Sequence, residues 1–256
     1  MRTLALALVP ALLAGPGAAF ACSVTADYRV PTNLELAAGA NTIVLGQVVG
    51  AAEAQAEPGE ALSEAIEVRP LAALKGLMPG ETLLLPGMAL APPGAPDTDA
   101  AGPVDFAAPH PEALAGSCIR RTFAPGATVL FFLARENGGW APAGGPFSRW
   151  AEDVAGPDDP WVQLATLYAR AARVPSAERE ALLQDQLEAL QARIDAEPDD
   201  DPAVLAMATD LERAMAAPGF PGLRGRPPEP APAVPAEDLG ELGAEIDALG
   251  GEAADR

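Results

Sequence analysis

The chain has 256 residues, with 36 acidic against 16 basic side chains and a net charge of −20 at pH 7, a balance that opposes binding to nucleic acid and to anionic membrane surfaces. Hydrophobic residues make up 49%, so a buried core is expected, while 25 glycines and 28 prolines predict long irregular stretches. With one histidine and two cysteines, the chain lacks the converging sulfur and imidazole ligands of a usual zinc site.

Met1 and Arg2 form a short basic start, residues 3–13 an apolar run, and Ala19 and Ala21 the small residues that precede a cleavage point. This pattern predicts a signal peptide over residues 1–21 and export to the periplasm or medium. The run is too short for an integral membrane span, which needs about 20 apolar residues. Cys22 then becomes the first mature residue, so a lipid-anchored alternative exists, although Ala19 and Phe20 stand where lipoproteins carry a branched aliphatic and a small residue.

Residues 22–150 read as a small β-rich domain. Thr32 and Glu35 have the spacing of a capping box and predict a short helix that Gly39 ends. Residues 41–50, 65–68 and 82–85 are predicted strands, with Pro70 and the Met78-Pro79-Gly80 turn separating the later ones. Residues 90–111 read as a proline-rich surface insertion. Residues 128–134 form the most apolar run of the mature chain and call for burial on both faces. Gly138-Gly139 is expected to turn the chain into a returning strand at Trp140.

Residues 151–218 read as helical. Asp159-Pro160 and Asp201-Pro202 pair a capping aspartate with a proline suited to the first turn, and Pro175-Ser176 begins a third helix. Leu183, Leu187, Leu190 and Ile194 make one apolar stripe; Val204, Ala208, Leu211 and Met215 make another, and the two should face each other in an antiparallel hairpin. Residues 219–256 are expected to be a disordered acidic tail, its last 30 residues carrying five prolines and eight acidic side chains. The fold class is therefore α+β, a β domain followed by an antiparallel helical region.

In an oxidising compartment the two cysteines, Cys22 and Cys118, are expected to form a structural disulfide. His110, between two prolines, reads as a solvent-facing loop residue. Asp97, Asp99 and Asp105 lack a calcium-loop motif. Ser117 and Ser148 sit in no nucleophile-elbow pattern. No catalytic, cofactor or metal residue is therefore assigned, and a non-enzyme is favoured. Trp140, Phe147, Trp150 and Trp161 are candidate aromatic contacts with a partner; the competing reading places them, with Phe131 and Phe132, in a core at the junction with the helices and sets Trp161 near Tyr168.

Several ordered features carry a resemblance. Cys22 precedes a short polar lead, residues 41–48 run Asn-Thr-Ile-Val-Leu-Gly-Gln-Val, Leu74-Lys75-Gly76 ends a strand, and Gly116-Ser117-Cys118 precedes Phe123 and the apolar run to Phe132. Together these resemble the netrin-like, or tissue-inhibitor-of-metalloproteinase-like, OB-fold superfamily. The resemblance covers residues 22–143, about half the chain. It implies a small OB-like β-barrel and a protein-binding role. In the metalloproteinase inhibitors of that family the terminal cysteine coordinates the target's zinc, and Cys22 matches that position. Val24, however, stands where a Cys-x-Cys start has its second cysteine, and the family's further disulfides are absent. The expected function is an exported envelope module that binds an unidentified protein. The alternatives are an envelope assembly factor using the helical hairpin and a divergent hydrolase.

Overall fold

The computed structural model describes residues 24–54, 59, 61–92, 105–196, 201–220 and 222–223. The predicted signal peptide, Cys22 and the acidic tail from residue 224 onward lie outside these. The class is α+β: a mostly antiparallel sheet with helices.

Helix α1 (Asn33–Gly39) starts as predicted, with the Thr32 side chain accepting from the Glu35 amide and the Glu35 carboxylate accepting from the Thr32 amide. Strands β1 (Thr42–Ala54) and β2 (Ser63–Lys75) pair antiparallel along a long hairpin, and β3 (Leu83–Pro86) pairs with the middle of β2. Pro70 does not interrupt β2. It lies beyond the stretch that β3 covers and next to a register shift in the β1 ladder, so the missing amide interrupts no regular pairing. A parallel pair follows, β4 (Ala89–Leu90) with β5 (Thr122–Phe123), flanking a single π-turn at Ala113–Ser117.

Strand β6 (Thr128–Glu136) lies between β1 on one side and β7 (Gly139–Pro142) and β8 (Ala151–Asp153) on the other. The β6–β7 loop is Asn137-Gly138, with φ of 49° and 85°, and Gly139 already pairs with Glu136. The turn thus sits one residue earlier than expected, because two successive positive φ values suit Asn-Gly. The path runs β3-β2-β1-β6-β7, and its ends approach each other with no ladder between them among the described residues.

Alternation along β6 divides its side chains between two cores. Val129, Phe131 and Leu133 join Val44, Val48, Ile66, Val68, Leu83, Leu85 and Trp150 on one face. Leu130 and Phe132 join Ile43 and Leu45 on the other, under the helices. Helix α2 (Pro160–Ala171) and α4 (Pro202–Ala216) are capped by Asp159 and Asp201 as predicted, and α3 (Ser176–Ala196) runs between them. The two predicted stripes share this second core with α1 and α2: Leu183, Leu187, Leu190, Val204, Ala208 and Leu211 are buried, with Ile194 and Met215 packed against them. No described helix is long and apolar enough to cross a membrane.

Buried polar bonds fix the helix layer. Asp210 on α4 accepts from Asn33 Nδ2 on α1 at 2.9 Å and from the Tyr168 hydroxyl on α2 at 2.7 Å, while Asn33 Nδ2 also donates to the Phe106 carbonyl. Two cations cap helix ends. The Lys75 ammonium donates to the carbonyls of Ala37, Ala38 and Ala40, and the Arg179 guanidinium to those of Ala171 and Val174.

Two loop expectations are corrected by this packing. Residues 93–104 lie outside the described residues, but Phe106 stacks on Trp161 at 5.2 Å and draws the end of the insertion onto the helix-side core. His110 is only 3% exposed rather than solvent-facing; its Nδ1 accepts from the Glu112 amide and its carbonyl from Ala113.

Candidate functional site

Three segments distant in sequence meet at one end of the sheet. The lead, residues 24–31, is held by a turn in which the Tyr28 amide donates to the Thr25 carbonyl, and by the Tyr28 hydroxyl, which donates to the Pro146 carbonyl at 2.5 Å. Next to Pro146, the Phe147 amide donates to the Cys118 carbonyl at 2.6 Å. Both bonded residues adopt the left-handed backbone region, Cys118 at φ 69° and Phe147 at φ 60°, which is costly for side chains of that size. Strain of this kind persists only where surrounding bonds over-determine it.

Gly144 makes the close approach to α1. A Cβ there would lie 2.6 Å from Leu36 Cδ1 and 2.9 Å from Ser148 Cβ, and φ is +87°, so any other residue would push the loop off the helix. A shallow groove of about 380 Å³ results between α1 and the β6–β7 hairpin. Leu36, Ala134, Pro142 and Ala143 give it apolar lining, Gly39, Gly144 and Gly145 leave backbone facing it, and Arg29, Glu35 and Glu136 supply its charges.

Arg29 grips Glu35 through both nitrogens, at 2.6 and 2.8 Å. Burial pushes the Glu35 carboxyl up, but the Arg29 guanidinium and the Thr32 amide and hydroxyl outweigh it and leave the carboxyl below the usual range. Glu35 is therefore a charged acceptor, poorly suited to proton transfer. Glu136, by contrast, makes no ion pair within the described residues.

The serine hydroxyls are engaged structurally. Ser148 Oγ lies within hydrogen-bond distance of the Ala143 and Gly145 carbonyls, and Ser117 Oγ of those of Glu112 and Ile119. Neither has a base beside it among these partners. No group of His, Cys, Asp and Glu among the described residues has metal-site geometry. Asp97 and Asp99 lie outside the described residues, and Asp105 bonds the Ala107 amide and Arg213. Cys22 is also outside them, so the expected partner of Cys118 is not placed.

The four candidate aromatic contacts separate. Trp150 is 0% and Trp161 1% exposed, so neither can meet a partner. They do not form one junction core either: Trp150 packs with Phe123 and Phe131 in the core on the other face of the sheet, whereas Trp161 packs with Phe106 and Phe132 in the same helix-side core as Tyr168. Trp140 is half-buried beneath the Arg135 guanidinium at 4.0 Å. Phe147, half-buried, belongs to the convergent loops. Tyr28, Arg29 and Gly144 carry the local geometry, and none of the three stands out in the sequence; the Gly144-Gly145 pair, followed by Pro146, is the turn signal that points to them. Comparisons with protein-family models, curated proteins and solved structures gave no match.

Proposed function

We propose that the protein is an exported envelope module, a divergent netrin-like OB domain extended by helices, that binds another protein through the end formed by the lead, the Cys118 turn and residues 144–148. The observation that carries this reading is the convergence of strained, hydrogen-bonded loops whose serine hydroxyls and Glu35 are engaged in internal bonds: such an end offers shape and charge for contact rather than a reactive group. The basic-then-apolar start supports export. Support for the OB-like barrel comes from β1 lying between β2 and β6, and from the approach of β3 to β7. A Cys22–Cys118 bridge fits the same arrangement, because the lead is already bonded to the loop that bonds Cys118; a lipid on Cys22 is the competing state. The helical hairpin is a weaker contact candidate, since its two apolar stripes are packed into the core.

The test is site-specific photo-crosslinking in an exporting bacterial host, with a photoreactive residue at Phe147 and, as control, at Glu188 on α3. A discrete protein adduct from position 147 and none from 188 is expected. Adducts from 188 alone would transfer the role to the helices. Non-reducing peptide mapping of the same material is expected to recover Cys22 joined to Cys118.

A further inference from the structure

We infer that the groove between α1 and the β6–β7 hairpin receives an extended segment of the partner protein through one basic side chain, preferably arginine. This rests on the protein-binding reading and names the chemistry its partner presents. The apolar lining and exposed glycine backbone suit an extended strand of small side chains, while Glu136 supplies a carboxylate with no ion pair of its own among the described residues. Glu35 lies in the same groove, but Arg29 already satisfies it, so the incoming cation is directed to Glu136. A guanidinium fits a free carboxylate in bidentate geometry.

The wider charge distribution works in the same direction. Of the few cations in the chain, Lys75, Arg120, Arg149 and Arg179 turn inward, onto helix-end carbonyls or onto Asp153 and Glu152. Two of these cations carry Asp153 and Glu152 inward with them, so the outward surface keeps the strongly acidic balance of the composition, and its field favours the approach of a basic partner and repels an acidic one.

The experiment titrates the 15N-labelled mature protein with acetyl-Ala-Ala-Arg-Ala-Ala-amide and, in parallel, with the glutamate counterpart. Saturable shifts of the Gly39, Gly144 and Gly145 amides are expected with the arginine peptide only. Gly39→Leu adds an apolar side chain to the groove lining at a position where a Cβ meets nothing within 4 Å. It should keep the melting temperature and weaken binding about tenfold or more, the loss expected when an apolar lining is occluded. Glu136→Gln should weaken it about threefold to fivefold, the scale of an exposed ion pair. Shifts that follow the exposed carboxylates of α3, Glu180, Asp185 and Glu188, and ignore Gly39→Leu would overturn the inference, as would the absence of any saturable shift. An adduct at Phe147 together with a silent groove would leave the binding module standing and remove only this partner chemistry.

Discussion

The two faces of the sheet are built from the same strands by different means. The face turned away from the helices is packed with aliphatic and aromatic side chains, from Val44 and Ile66 to Phe131 and Trp150, and the alternation of β6 alone places its share of them. The helix-covered face has an apolar core too, but its orientation depends on polar bonds between residues far apart in sequence: Asn33 with Asp210, Tyr168 with Asp210, and Lys75 with the end of α1. Burial of apolar area is non-directional and lets helices slide. Buried hydrogen bonds select one seating, because any other leaves a donor or acceptor without a partner.

Phe131 and Phe132 are adjacent yet serve opposite faces, so truncating each tests whether the two cores unfold together. Either change to alanine should cost about 3–5 kcal/mol. Phe131→Ala, which removes contacts to Phe123 and Trp150, is expected to lower protection of every slowly exchanging amide. Phe132→Ala, which removes the contact to Trp161, should instead open α2 to α4 while β1 and β2 stay protected. Native-state hydrogen exchange reads the difference. Uniform loss in both variants would mean one cooperative unit and erase the distinction between faces.

A smaller but still large loss is expected at Asp210. Asp210→Ala leaves the Tyr168 hydroxyl and one N–H of the Asn33 amide, whose other bond goes to the Phe106 carbonyl, buried without an acceptor, at a cost of about 2–3 kcal/mol in chemical denaturation, whereas Tyr168→Phe should cost about 1 kcal/mol. Burial raises the Asp210 carboxyl above the ordinary aspartate range, against the donors Tyr168 and Asn33 and the charges of Arg213 and Arg149. A folded pKa above the unfolded one gives a contribution that is fully present below the unfolded value and lost as pH rises through the folded value. Relative to Asp210→Asn, the wild-type protein should therefore lose stability as pH rises across that acidic window. A parallel pair of stability curves would show that burial does not shift this group.

These contrasts also explain what the sequence disclosed. Capping residues at Thr32, Asp159 and Asp201, the β6 run and both helical stripes were legible because each is a local pattern with a fixed period or spacing. The separate destinations of Trp150 and Trp161 were not, since nothing in local composition states which face of a sheet a neighbouring loop will cover. His110 is buried although flanking prolines mark a loop, because such a pattern does not say whether the loop packs down, as it does where Phe106 stacks on Trp161. At the candidate site Phe147 was visible as an aromatic, but the Tyr28 and Cys118 bonds that hold its loop span more than a local window.

Lys75 offers a milder probe of how the helix layer is held. Lys75→Met keeps the aliphatic stem but removes the donor to three carbonyls, and should cost about 1–2 kcal/mol because water can reach part of the site. Burial, with Arg173 nearby, brings the ammonium down from 10.5 to about 8. A depressed folded pKa contributes stability that is present above the unfolded value and lost as pH falls through the folded one. Wild-type stability should thus rise relative to Lys75→Met between about pH 8 and 10.5, the direction opposite to Asp210. Urea midpoints at pH 7.5 and 9.5 are sufficient to check the sign.

The smallest effect lies where the interior row of β2 leaves the core. Val68 and Ile66 are buried in the core on the face away from the helices, and Glu64 continues their alternation into solvent, directly opposite Glu53 on β1. Two like charges facing each other across an antiparallel pair are destabilising. Glu64→Lys converts the repulsion into attraction at an exposed position and should raise stability by about 0.2–1 kcal/mol in low salt. The gain should shrink as ionic strength rises and the Debye length falls below about 8 Å. Glu67→Lys makes a useful control: Glu67 belongs to the opposite row and pairs with Gly50 and Leu84, so it has no carboxylate across from it in either ladder and should show less of the salt-sensitive gain. If both variants change the urea midpoint equally at every salt concentration, the effect comes from lowering the net charge of the whole chain, and the Glu53–Glu64 juxtaposition has no energetic consequence of its own.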